Sequence, residues 1–116
     1  MKTNRTQRIG EQMRRELADL IVRDLRDPRI GLVTISDVDV SPDLAHAKVF
    51  FTVIGASASE AAEALNAAAG HLHHLLFKLL QMRTVPRLRF VHDASVEHGF
   101  EIDRLIDQAV GKGGPE

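Results

Sequence analysis

Between Leu65 and Phe90 the chain reads LNAAAGHLHHLLFKLLQMRTVPRLRF, a leucine-rich stretch in which His71, His73, His74, Lys78, Arg83 and Arg87 precede Arg89. Side chains of these types can ligate a metal, exchange protons or attract a polyanion. On a helix, His71, His74 and Lys78 stand at i, i+3 and i+7 and share one face. Two imidazoles at that spacing can chelate and His92 could join them, but no Asp or Glu lies between His71 and His92, and no His-Glu-x-x-His run occurs. Metal ligation is therefore not expected. Catalysis is no better supported, because the chain lacks a nucleophile elbow, a Gly-x-x-x-x-Gly-Lys phosphate loop and a dinucleotide fingerprint, and GKGGPE lies too near the end to open a helix. The absence of cysteine removes thiolate nucleophiles, thiolate zinc sites and disulfides. Neither an active site nor a cofactor is expected, and electrostatic attraction is the chemistry that remains.

The formal net charge of −1 conceals where the charges sit. Met1 to Arg29 carries eight Lys or Arg against five Asp or Glu, a balance of +3. Lys78, Arg83, Arg87 and Arg89 then give +4 between His71 and His92 with no acid. From Val96 to Glu116 the acids Glu97, Glu101, Asp103, Asp107 and Glu116 outnumber Arg104 and Lys112. Two basic segments and an acidic end result.

The elements that must position these charges follow from periodicity. At 116 residues, with 44% hydrophobic and 27% charged, the chain suits one folded domain. Ile9, Met13, Leu17, Leu20, Ile21 and Leu25 recur at helical spacing and predict a helix from about Arg5 to Leu25, ended by Pro28 and Gly31 in RDPRIG. At about 100° per residue, Arg5, Arg8, Arg15, Arg23 and Arg26 fall in an arc of roughly 80° opposite the apolar stripe. Gln12 and Asp19 share that arc, so it reads either as a solvated face or as a line of phosphate contacts. LVTISDVDV and AHAKVFFTVI predict two strands joined through Ser41 to Leu44, with Pro42 and Asp43 supplying turn chemistry. Val33 and Ile35 differ in parity from Val38 and Val40, which a bulge near Ser36 and Asp37 would reconcile.

A second helix should begin in GASASEAAEALNAAAG, where Ser57 and Glu60 have capping-box spacing and Ser59 is an alternative cap. Leu72, Leu75, Leu76 and Leu79 then form an apolar face. Pro86 closes the helical region, RLRFVHD alternates as a third strand, and a short helix from about Phe100 and a mobile GKGGPE follow. Phe50, Phe51, Phe77 and Phe90 sit in apolar patterns and are expected in the core. With no Tyr or Trp in the chain, any nucleic-acid partner would be met through shape and backbone more than base identity. No apolar run approaches the roughly 18 residues of a membrane span, and MKTNRTQRIGEQMRRE has no signal-peptide core, so a cytoplasmic location is expected.

Gly70 interrupts the long helix at about 1 kcal/mol relative to alanine, a position that serves either a bend or close helix packing. The order helix, strand, strand, interrupted helix, strand resembles the type II KH arrangement, an α+β domain in which a loop between two helices approaches a nucleic-acid backbone. The Gly-x-x-Gly of that loop is missing, and Ala68, Ala69 and Gly70 stand in its place as an Ala-x-Gly kink. RTVPRLRFVHD at Arg83 to Asp93, DPRI at Asp27 to Ile30 and SDVDVSPDLAHAKVF at Ser36 to Phe50 all resemble the bacterial ribosome-binding factor A family. The likeness runs from about Arg5 to Asp107.

That resemblance implies a KH-like domain, taken as residues 1–107, and a short tail at 108–116. It implies binding to the free 30S small ribosomal subunit and its 16S rRNA during late maturation and 5′-end processing, notably in the cold. A monomer without a membrane or small-molecule partner is expected. Arg5, Arg8, Arg15, Arg23 and Arg26 would supply one line of phosphate contacts, and His71, His74, Lys78, Arg83, Arg87 and Arg89 another, since each phosphate neutralised releases counterions. The competing reading is a protein-interaction or dimerisation module in which the kink packs on another helix.

Overall fold

Apolar residues at helical spacing do close a helix, α1, over Asn4–Asp24, with Met13, Leu17, Leu20 and Ile21 buried. The structure is a computed structural model that describes residues 4–25 and 27–94. Arg26, the boundary expected at residue 107, the tail and the short helix expected from about Phe100 lie outside the described residues. After α1, the Asp27 carboxylate accepts from the Arg29 backbone N–H at 2.9 Å and from its guanidinium at 2.7 Å, closing the turn at Pro28. Those hydrogen bonds hold the Asp27 carboxyl below its usual range. Gly31 follows at φ +64°, where an added Cβ would stand 2.7 Å from the Ile54 carbonyl oxygen. Both conditions select glycine.

β1 (Leu32–Val40) and β2 (His46–Ile54) form the expected antiparallel hairpin. The register slips between Ile35, opposite Phe51, and Asp37, opposite Phe50, which places Ser36 in a bulge and brings Ile35, Val38 and Val40 to one buried face. The Ser36 hydroxyl donates to the Asp93 carboxylate at 2.7 Å, tying the bulge to the residue after the third strand. In the connecting turn, Asp43 accepts from the Ser41 hydroxyl at 2.6 Å and the Ala45 N–H at 3.0 Å, and Leu44 takes φ +61°. The Ser41 hydroxyl foremost, then the Ala45 N–H, keep the Asp43 carboxyl below its usual range.

α2 (Ala58–Ala67), α3 (Ala69–Leu80) and β3 (Arg87–His92) complete the chain order. Ser57 is the N-cap of α2, and its hydroxyl oxygen accepts from the Glu60 N–H at 3.1 Å. The Glu60 carboxylate accepts from that hydroxyl at 3.1 Å, so the two side chains close on each other as the spacing predicts. β3 lies parallel to β2, giving the sheet order β1-β2-β3. A parallel neighbour requires a crossover, and α2 with α3 supplies it.

The pairing arranges the core in rows: Val40, Ala47 and Leu88; Val38, Val49 and Phe90; Ile35, Phe51 and His92. Phe51 is fully buried and meets the His92 ring edge-on with centroids 5.7 Å apart. Leu72, Leu76 and Leu80 of α3 close the core together with Leu65 and Ala61 of α2. Gly10 of α1 lies so close to β1 that a Cβ there would be 2.7 Å from the Val38 carbonyl oxygen. The result is the α+β, KH-like order expected from the sequence.

Three expectations need correction. Phe77 is 48% exposed and Leu79 47% exposed, because the buried stripe of α3 runs through Leu72, Leu76 and Leu80 and leaves both on its flanks. Phe50 is half-buried and lies outside the core cluster, on the opposite face of the sheet from Phe51. The helix breaks at Ala68 (φ −90°, ψ 0°), within the expected Ala68, Ala69 and Gly70 triplet, but Gly70 itself has no positive φ and a Cβ there would meet nothing within 4 Å. Neither a bend nor internal packing therefore requires glycine at 70. Gly70→Ala should raise stability by up to about 1 kcal/mol. Gly10→Ala should lower it by about 1–3 kcal/mol, because α1 must lift from β1. Urea unfolding of the two variants, which carry the same chemical change, checks this contrast.

Candidate nucleic-acid interface

Asn66, in the last turn of α2, holds the kink against the outer edge of β3. Its Oδ1 accepts from the Phe90 N–H at 2.8 Å, and its Nδ2 donates to the Phe90 carbonyl at 2.9 Å. The side-chain amide thus acts as a short piece of neighbouring strand and covers part of a sheet edge. One turn into α3, His73 Nε2 lies 2.8 Å from the Val85 carbonyl oxygen, a contact that places a proton on Nε2. Asn66 thus fastens α2 to β3, and His73 fastens α3 to the connection just before β3, on either side of Ala68.

These contacts define a groove of about 370 Å³ lined by Ala69, Gly70, His73, Arg87 and Leu88. A second cleft of about 330 Å³ is lined by Arg5, Asp43, Leu44, Met82, Arg83 and Thr84, where the start of α1 meets the hairpin turn and the α3–β3 connection. Arg5 and Arg83, distant in sequence, thereby share one cleft. His71, His74 and Lys78 are exposed on the outer side of α3 and do not line the groove. The imidazole that faces the third strand is that of His73, a correction to the expected pairing of the His71, His74 and Lys78 face with the third strand.

The arginines of α1 are not equivalent. Arg23 is bound to Asp19 at 2.8 Å, and Arg15 lies 3.8 Å from the Glu11 carboxylate, which Arg14 also grips. The hydrogen bond from Arg14 holds the Glu11 carboxyl below its usual range. Arg5 and Arg8 have no ion-pair partner among the described residues. Arg23 is 18 residues beyond Arg5, about 27 Å along the helix, and cannot join the Arg5–Arg83 cleft. The expected line of five therefore reduces, in its described part, to a free N-terminal pair and two neutralised members.

Arg89 projects from the sheet face opposite the helices, Arg87 shares its parity at the strand edge that also borders the groove, and the register puts Lys48 beside Arg89 and His46 beside Arg87. Among the described residues no three His, Asp or Glu side chains converge on one point, and no helix is long and apolar enough to cross a membrane. What the exposed cations can do chemically is neutralise phosphates.

A family model described as ribosome-binding factor A matches residues 5–106. The chain belongs to the ribosome-binding factor A family. It is 55% identical over 107 residues to ribosome-binding factor A of Cupriavidus necator, covering 92% of this chain and 88% of that one. The crystal structure of ribosome-binding factor A from Thermus thermophilus superposes with a TM-score of 0.68 at 30% identity, over 75% of this chain and 94% of that one. A homology model of the Thermus factor fitted into a cryo-EM map of a 30S complex superposes with a TM-score of 0.65 at 32% identity, over 73% and 91%.

Four residues of the candidate interface were not singled out as contacts from the sequence. Lys48 and His46 carried a signal, since both have the parity opposite to Val49 in an alternating strand. Asn66 and His73 carried none, because their partners are backbone atoms 24 and 12 residues away. Asn66→Ala would leave a half-buried N–H and carbonyl without partners, and should destabilise the domain by about 1–3 kcal/mol. Urea unfolding, together with hydrogen exchange at the Phe90 amide, checks it: fast exchange is expected at that amide.

Proposed function

We propose that the protein acts as a non-enzymatic ribosome-maturation factor that binds the free 30S small subunit. On this reading it works in the cytoplasm as a monomer, contacts 16S rRNA and assists late maturation and 5′-end processing, notably in the cold. The observation that carries the proposal is the fitting of a relative of the same fold into a map of a 30S complex. The distribution of free cations supports it. Arg5, Arg83, Arg87, Arg89 and Lys48 are exposed without ion-pair partners among the described residues, which leaves them available to phosphates. Gly70 adds to this, because an exposed helical glycine with open space above it admits a close approach from outside.

The Arg5–Arg83 cleft, Lys78 with His71 and His74, and Arg87 with Arg89 are the assigned contact groups; Arg8, Arg15, Arg23 and Arg26 contribute secondarily. The Ala68–Gly70 break is the point of backbone approach. Co-sedimentation with isolated small subunits, large subunits and joined ribosomes over a salt series tests the proposal. Selective retention by free small subunits is expected, weakening steeply as salt rises. Arg5→Glu with Arg83→Glu should weaken retention about tenfold or more and lower the log–log salt slope by about 1 to 2. Absence of retention by the folded protein would overturn the proposal.

A further inference from the structure

The sheet has a second face that no helix covers among the described residues. Pleating places Lys48, Phe50 and Thr52 of β2 on the side opposite Val49 and Phe51, and the register adds Arg89 beside Lys48 and Val91 beside Phe50. Arg87 and His46 pair at the start of the same face. Phe50 and Val91 are only half-buried, and neither belongs to the core cluster or packs against it. Burial in the core therefore does not explain an aromatic ring at position 50. Two acids of β1 share this face, Asp39 opposite Lys48 and Asp37 opposite Phe50, and both are already engaged, Asp37 accepting from the Val38 N–H at 2.9 Å.

We propose that this open sheet face is a platform for single-stranded RNA, with one unpaired base stacked on Phe50 and the flanking phosphates on Lys48 and Arg89. The proposal deepens the ribosomal reading above and rests on it for the identity of the RNA. Its chemistry is general: any base has a π-face that a half-exposed ring can receive, and a sheet with an outward aromatic and neighbouring cations presents ring and charge together. Phe50 sits on the central strand, between the other two. A base above it is therefore reached by cations from β2 and β3 at once. Arg89 and Arg87 lie two residues apart on β3, about 6.6 Å, so successive phosphates of one strand can be met by successive arginines. The sequence-based expectation that RNA shape and backbone matter more than base identity rests in part on placing Phe50 inside, and its outward position removes that premise.

The test uses the full chain and a short mixed-sequence RNA oligonucleotide carrying 2-aminopurine, whose fluorescence falls on stacking with an aromatic ring. Wild type should bind and quench it. Phe50→Ala should bind at least fivefold more weakly and lose the quenching, Phe50→Tyr should restore both, and Lys48→Glu with Arg89→Glu should lower the log–log salt slope by about 1.4. Circular dichroism of each variant establishes that it is folded. Equal binding and quenching by folded Phe50→Ala would overturn the platform, even if small-subunit retention is intact. Oligonucleotide quenching by wild type without retention on small subunits would leave the platform standing and overturn the ribosomal reading instead.

Discussion

The pair of hydrogen bonds between the Asn66 amide and the Phe90 backbone is the constraint on which the surface depends. Among the described residues β3 is an edge strand with one neighbour, and an edge leaves N–H and carbonyl groups in need of partners. Asn66 satisfies two of them from the last turn of α2. That contact fixes where α2 stops relative to the sheet, and so where the chain turns at Ala68 into α3. The groove beside Arg87, the outward face of α3 and the connection carrying Arg83 all inherit their places from it. Buried apolar area supplies most of the stabilisation but is non-directional. Register between helix and strand needs directional bonds, which Asn66 provides, while His73 ties α3 to the connection that leads into β3.

Periodicity made most of the fold legible before any coordinates. The conflict of parity between Ile35 and Val38 located the bulge at Ser36, because a one-residue slip reverses every side chain that follows. The capping pair at Ser57 and Glu60 located the start of α2. The α3 stripe was less legible: Leu75, Leu76, Leu79 and Leu80 offer two overlapping faces, and only contact with α1 and the sheet decides that Leu80 goes in and Leu79 stays out. Gly70 misled for a related reason. A glycine in a helix signals a relaxed requirement for a side chain, and sequence cannot say whether the requirement comes from within the fold or from outside it.

The site was legible as a set of charges and not as a surface. Sequence placed Arg5, Arg8, Arg15 and Arg23 on one helical face correctly, yet the neutralisation of Arg23 by Asp19 and of Arg15 by Glu11 divides them into free and closed cations. Exposed i,i+4 pairs contribute little to stability, about 0.3–0.5 kcal/mol. Their larger effect here is on potential, since they lower the attraction of the middle and far end of α1 for an anion. Arg5 escapes because its neighbours are the hairpin turn and Arg83.

The opposite end of the domain completes this polarity. There Arg29 lies between Asp27 and Glu63, 2.7 and 3.5 Å from their carboxylates, and its positive charge is spent within the fold. At physiological ionic strength charges beyond about 8 Å are largely screened, so a net charge of −1 neither attracts nor repels a polyanion as a whole. On the proposed reading, attraction would begin only when RNA comes within contact range of the Arg5–Arg83 cleft or the cations of the sheet face. Such a charge distribution would give weak indiscriminate affinity for nucleic acid, and stronger affinity where an RNA surface is shaped to meet several of those cations together. Near-neutral total charge and concentrated local charge are thus parts of one arrangement, in which recognition depends on the geometry of the partner more than on its charge density.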